Sequence, residues 1–231
     1  MAYKLPTKTL GRTGLVVTRL GIGGAYCKTP EGYIQALECG VTYVDTARSY
    51  HDGEDERILG QALVGWRDKL TLATKSGSRD AEGAKRDLET SLSLLRTDHV
   101  DIWQVHYLNQ EEELHQALGK GGIVEYAQRA REEGLIQFLG VTGHNWPVVA
   151  QAAATGLFDT VLCWYNCALK QAETTVFPQA VRHNMGVVIM NATRNDRLFG
   201  DVAAGAPQVP EFYRYVLTNP AVTVTIVGLR N

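Results

Sequence analysis

The fold predicted from this sequence is a (β/α)8 barrel of TIM type behind a small β-hairpin, and three observations predict it. Eight short apolar runs recur between Arg19 and Gly228, and seven stretches of helical spacing separate them. The runs are almost continuously apolar, as strands are when both of their faces are buried. Three of them close on a polar residue: Asp45 in VTYVDT, Lys75 in LTLATK and His106 in VDIWQVH. In such barrels chemistry gathers at the C-terminal ends of the strands, so architecture and polar residues select the same face.

Residues 4–17 alternate polar and apolar around Gly11 and Gly14, a hairpin with turn chemistry at GRTG. The barrel is expected over 18–231, and 1–231 as one domain. RLGIGG (19–24) is its first strand. The Gly23–Gly24 pair suits a tight turn or a close backbone approach to a ligand. A short helix at 31–38 leads to the strand at 41–46. From 54 to 64, Ile58, Leu59, Ala62 and Leu63 share one face of an amphipathic helix. LTLATK (70–75) is followed by a helix over about 82–96, marked by Leu88, Leu92 and Leu95. After VDIWQVH (100–106), QEEE (110–113) reads as a solvated first turn, favoured by the helix dipole. The next helix turns Ile123, Tyr126, Ala127 and Ala130 inward. FLGVT (138–142), a helix near 147–155, TVLCWY (160–165), a helix near 172–183 and GVVIMNA (186–192) continue the alternation. RNDRLFGDVAAGAPQVP (194–210) reads as a loop. A helix carrying Phe212, Tyr215 and Val216 precedes the last strand, VTVTIVG (222–228). The sequence ends at Arg230–Asn231, so the eighth helix is missing. The expectation is a trimmed chain or an oligomer that covers the eighth strand, because large apolar surfaces seldom stay bare.

At 231 residues the chain buries roughly 70% of its unfolded surface and needs no staples. An apolar fraction of 45%, a charged fraction of 21% and a net charge of −2 without a basic block argue against nucleic acid as a partner. No run has the length of a membrane span, and the N-terminus has no signal-peptide core. Cys27, Cys39, Cys163 and Cys167 form neither CxxC nor a zinc set, so no metal is expected and the cytoplasm is the expected compartment.

Asp45, Tyr50, Lys75 and His106 make a proton-transfer set. A phenol with a pKa of about 10 is a poor acid near neutrality. A nearby ammonium favours its phenolate, and a carboxylate can hold that ammonium in place. His51 reads as a loop residue and Trp103 as barrel packing. Trp164 is poised between packing and the substrate pocket, and Arg194 and Arg197 between exposed loop residues and phosphate contacts.

Taken together, LGRTGLVVTRLGIGG, GVTYVDTARSYHDGEDERILGQAL, LTLATK, DHVDIWQVH, GLIQFLGVTGHN and AVTVTIVG resemble the aldo-keto reductases, in order and over nearly the whole chain. The resemblance places the family's aspartate, tyrosine, lysine and histidine on Asp45, Tyr50, Lys75 and His106. It implies NADPH-dependent reduction of a small aldehyde or ketone, with NADH the alternative cofactor and Tyr50 the proton donor. Where the family commonly has Ser-Asn for the nicotinamide carboxamide, this chain has Thr142-Gly143-His144-Asn145, and Asn166 shares the task. The seventh strand ends in Asn191-Ala192-Thr193-Arg194 instead of an aromatic or Pro-Leu element. Beyond the eighth strand, Gly228 and Arg230 remain of the family's grip on the adenosine phosphate. Gly23 and Gly24 complete the candidate cofactor contacts. The alternative function is a cofactor-binding regulatory or assembly subunit, as the potassium-channel β subunits are.

Overall fold

Strand pairing closes eight parallel strands into a barrel. The structure is a computed structural model and describes residues 4–198 and 208–229. Ahead of the barrel, β1 (Thr7–Thr9) and β2 (Val16–Thr18) pair antiparallel around a 3-10 turn at Gly11–Thr13. The barrel strands are β3 (Leu20–Gly23), β4 (Tyr43–Asp45), β5 (Thr71–Ser76), β6 (Val100–Val105), β7 (Ile136–Gly143), β8 (Thr160–Trp164), β9 (Gly186–Met190) and β10 (Val224–Gly228). Each pairs in parallel with the next, and β10 closes on β3 with Gly228 beside Gly23.

The helical crossovers follow the expected alternation. They are α1 (Pro30–Glu38), α2 (Glu54–Ala62), α3 (Ala81–Leu95), α4 (Glu111–Leu118), α5 (Ile123–Glu132), α6 (Trp146–Ala154), α7 (Val176–Arg182) and α8 (Val209–Thr218). Two differ from the sequence reading. QEEE opens a separate helix, α4, whose Gln110 and Glu113 form a reciprocal capping box, and a turn at Gly119–Gly122 divides it from α5. The helix expected near 172–183 is split into a 3-10 turn at Gln171–Glu173 and α7. Residues 199–207 of the expected loop, and Arg230 with Asn231, lie outside the described residues.

The core has two parts. Between strands and helices lies one apolar layer, including Val44, Leu72, Trp103 and Val141. Inside the barrel a second cluster contains Tyr43, Ala73, Ile102, Leu162, Val188 and Val224, joined by Leu10 and Val17 from the hairpin. The hairpin thus plugs the end of the barrel opposite the site. Arg12 fastens it there, with Nε donating to Asp159 at 2.8 Å and Nη2 to the carbonyls of Gly156 and Phe158 at 2.9 and 2.8 Å. Trp103 faces α5 and meets Tyr126 edge-on, which is the packing role read from the sequence.

Candidate active site

Side chains alternate faces along a strand, and that alternation aims the polar residues. On β4, Tyr43 belongs to the interior cluster and Val44 to the outer one, so Asp45 points inward again. By the same rule Lys75 follows Ala73 inward on β5, and Gln104 and then His106 follow Ile102 on and just beyond β6. Asp45 and Lys75 are 0% and 1% exposed.

Lys75 Nζ donates to Asp45 Oδ1, to the carbonyl of Thr46 at 2.5 Å and to Tyr50 OH at 3.3 Å. The same ammonium lies 4.7 Å from the centroid of the Tyr50 ring, a cation–π arrangement. Gln104 Nε2 donates to the other Asp45 oxygen at 2.8 Å. His106 meets Tyr50 edge-on with ring centroids 5.8 Å apart, and its Nδ1 is 3.2 Å from Ser49 Oγ. The structure therefore brings Asp45, Tyr50, Lys75 and His106 together.

The loop carrying Tyr50 is held by groups that sequence reasoning assigned to an ordinary amphipathic helix. Asp55 of α2 is 1% exposed and accepts from Thr46 Oγ1 at 2.5 Å, Tyr33 OH at 2.8 Å and the Ala25 amide at 3.0 Å. Its neighbour Glu56, fully buried, accepts from Arg48 at 3.1 Å and Thr74 Oγ1 at 2.6 Å. His51 is the loop residue expected, with Nε2 at 2.7 Å from the Ala25 carbonyl. These contacts tie the loops after β3 and β4 to each other and to β5.

Electrostatics sort the four groups. Burial works against the Lys75 charge, but Asp45 and Tyr50 outweigh it and raise the ammonium above its ordinary pKa. Burial pushes Asp45 up, while Lys75 and Gln104 oppose that rise. For Tyr50 burial also wins: the phenol stands above its usual value even though Lys75 pulls it down. This corrects the expectation of a net lowering by the ammonium, because burial disfavours the phenolate more than one charge repays. Burial, with Lys75, His144 and Arg79, lowers His106 to about 3, so its ring is neutral near neutral pH.

Beside Tyr50 opens a cavity of about 320 Å³. Of the candidate cofactor contacts, Gly23, Gly24, Asn191 and Gly228 line it, together with His144 and Trp164, whose rings stack at 4.3 Å. Asn191 has a left-handed backbone (φ 64°), and its buried Oδ1 has no partner among the described residues. The other candidates are engaged in the scaffold. Asn166 is fully buried, donates to the carbonyl of Asn191 at 2.9 Å and accepts from the amides of Ala168 and Leu169. Thr142 Oγ1 accepts from the Tyr107 amide at 3.2 Å. Asn145 is exposed and donates to the Asn109 carbonyl at 2.8 Å. Asn166 thus supports Asn191 from behind, and Thr142 and Asn145 brace loops at the rim. Arg230 lies outside the described residues. A second cavity of about 580 Å³ shares Ala25 and Tyr26 and is walled by Cys27, Lys28, His51, Glu54, Asp55 and Ile58. Among the described residues no group of three or more His, Cys, Asp or Glu side chains could hold a metal, and no helix is long and apolar enough to cross a membrane.

Sequence reasoning missed Gln104, Asp55, Glu56 and Ser49. For Gln104 a signal existed: it is the lone amide in the run VDIWQV and shares the face of His106, two residues on. For Asp55 and Glu56 there was none, since acids in a first helical turn are ordinary.

The chain is similar to known proteins along most of its length. YhdN, an aldo-keto reductase of Bacillus subtilis, is 28% identical over 195 residues, 74% of this chain and 57% of that protein. The methylglyoxal reductase YeaE of Escherichia coli is 36% identical over 91 residues, 38% of this chain and 32% of that protein. The chain thus spans less than two thirds of the length of these relatives. The holo form of the aldo-keto reductase AKR11C1 from Bacillus halodurans has the same fold, with a TM-score of 0.83 at 22% identity over 97% of this chain and 86% of that one. The model of the aldo/keto reductase family matches residues 31–211, and the chain belongs to that family.

Proposed function

We propose that this chain reduces an aldehyde or ketone to the alcohol, reversibly, with NADPH as the hydride donor and NADH as the alternative. One observation carries the reading: a buried Asp45–Lys75 pair whose ammonium reaches the Tyr50 hydroxyl at 3.3 Å, beside His106 and a cavity at the barrel mouth. The reductase names of its relatives support it.

The residues fit the cofactor. Asn191 lines the cavity, and its buried Oδ1, without a partner among the described residues, is an acceptor suited to an amide N–H such as a carboxamide offers. Gly23, Gly24 and Gly228 line the same cavity. Asn191 and these glycines would hold the nicotinamide end, and the bound cofactor would supply a hydride to the carbonyl carbon.

What the chain's own residues do follows from their charges. Tyr50 is protonated at neutral pH, the form a proton donor needs. As negative charge develops on the substrate oxygen, the phenol gives up its proton. The phenolate left behind faces Lys75, an attraction of roughly 5 kcal/mol at this separation and an effective dielectric of about 20. Neutral His106 donates an N–H to the same oxygen and carries no charge that would compete with the transfer. Asp45 keeps the ammonium in place between turnovers. Cys27, Cys39, Cys163 and Cys167 are all free thiols, which suits the cytoplasm as the proposed compartment.

The test is fluorescence titration with NADPH and NADH, followed by cofactor oxidation against a panel of aldehydes. The reading expects NADPH binding and turnover that Tyr50→Phe abolishes while binding persists. Binding without turnover would favour the regulatory-subunit alternative, and turnover unaffected by Tyr50→Phe would remove the assigned acid.

A further inference from the structure

Gln104 stands outside the four-residue set, yet it completes the surroundings of the buried acid. It is 1% exposed on β6, in register with Lys75 on β5. Lys75 takes Asp45 Oδ1, and the Gln104 amide takes Oδ2 at 2.8 Å. Space has been left for it: a Cβ on Gly140 of β7 would stand 2.8 Å from Gln104 Cγ. The side chain is therefore packed at its stem and hydrogen-bonded at its tip, which leaves it little freedom to point elsewhere.

We propose that Gln104 is a positioning residue for the proton donor: it keeps the Asp45 carboxylate ionised and turned toward Lys75, and through Lys75 it supports Tyr50. The inference rests on the reductase reading above. A buried carboxylate oxygen without a donor is strongly disfavoured, and the group answers by taking up a proton. A protonated Asp45 no longer holds the ammonium, and Tyr50 loses the charge that steadies its phenolate. The other titratable groups facing Asp45 are Asp55 of α2, Tyr33 of α1, Tyr50 of the following loop and Tyr43 of its own strand. None of them gives its carboxylate a hydrogen bond, so Lys75 and Gln104 divide that task.

A glutamine that only fills space would stabilise the chain equally at every pH, whereas a donor to a carboxylate matters only where the carboxylate is ionised. The experiment compares melting of the wild-type chain, Gln104→Leu and Gln104→Glu from acid to neutral pH, alone and in an Asp45→Asn background. Oxidation of NADPH with a small aldehyde is followed in parallel. For Gln104→Leu the deficit in Tm is expected to be roughly 3–10 °C larger at neutral pH than in acid. That difference disappears in the Asp45→Asn background. kcat falls by about tenfold or more with KM nearly unchanged, the pattern of a lost transition-state interaction. Gln104→Glu recovers toward wild type in acid, where the introduced carboxyl is protonated and can donate. Should Gln104→Leu not fold, this second variant decides alone. A Tm deficit that is flat across pH, or that persists in the Asp45→Asn background, overturns the proposal, as does an unchanged kcat. If the wild-type chain oxidises no NADPH, the reductase reading fails on its own account, and the melting curves still decide whether Gln104 holds Asp45.

Discussion

His106 offers the sharpest link between the site and a measurable quantity. Its ring is lowered from the ordinary 6.5 to about 3, first by burial and then by Lys75, His144 and Arg79. That displacement corresponds to a preference for the neutral ring of roughly 5 kcal/mol in the folded state. The ring is only partly buried, so we expect about 3–5 kcal/mol to be realised. The sign follows from proton uptake. Between 6.5 and about 3 the unfolded chain binds a proton at this position and the folded chain does not, so stability falls as pH falls through that window. Asp45, raised by burial, contributes with the opposite sign, and a comparison of two chains that both contain it cancels that contribution. Urea unfolding of wild type and His106→Gln at a series of pH values isolates the effect. Relative to the variant, wild type should lose up to about 1.4 kcal/mol for each pH unit below 6.5. Parallel curves, or an imidazole that titrates near 6.5 by NMR, would refute the buried neutral ring and with it the neutral donor assigned to the reaction.

Other perturbations test separate parts of the structure. Lys75→Met should lower kcat by about 10²–10⁴. It should also cost about 3–5 kcal/mol in urea unfolding at neutral pH, because Asp45 is left buried without its partner. Acid should relieve that cost as Asp45 takes up a proton, so a pH-independent loss would count against an ionised Asp45. Arg12→Ala removes the clamp between hairpin and barrel and should cost about 1.5–3 kcal/mol in urea unfolding, with NADPH binding unchanged. A shift in NADPH affinity would show that the plug and the mouth communicate. Gly24→Ala would set a Cβ 2.2 Å from Asp55 Oδ2. It should lower stability by about 1–3 kcal/mol and weaken NADPH binding, measured by melting and fluorescence titration. A well-folded variant with wild-type affinity would mean that the loop after β3 can move aside.

Much of this was legible in the residues. Short apolar runs at regular spacing mark buried parallel strands, and the period of two within each run tells which polar residue turns inward. That sufficed for Asp45, Lys75 and His106. Tyr50 was legible only through the motif around it, since it sits on a loop whose course is set by contacts 18 and 30 residues away in sequence, Glu56 with Thr74 and Ala25 with Asp55. The direction of its pKa was not legible at all. A nearby lysine suggests a lowered phenol, and only burial reverses that. The cofactor candidates divide in placement for a related reason. A glycine or an asparagine at a strand end reveals that the backbone is special, but not whether the residue lines the cavity, as at Asn191, or is engaged in the scaffold, as at Asn166.

The placement of charge explains why this rim can carry chemistry. Three carboxylates are buried within a few residues of Tyr50, and each is neutralised differently. Asp45 has a lysine and an amide, Asp55 has two hydroxyls and a backbone N–H, and Glu56 has an arginine and a hydroxyl. Their partners come from α1, β5, β6 and the loops after β3 and β4, so no one of these segments can shift without unpairing a buried acid elsewhere. Unpairing one costs several kcal/mol, a large part of the stability of any domain. The proposed proton donor is therefore fixed by a network that tolerates little change. Tyr107 and Trp164, around the mouth, stand outside that network. Tyr107 is half-exposed, Trp164 stacks on His144 at the rim, and among the described residues neither of the two hydrogen-bonds to these acids. Their replacement should alter which carbonyl enters while leaving the pH dependence of turnover in place. A kcat–pH profile that moved on Trp164→Ala would show that the rim and the acid are not independent.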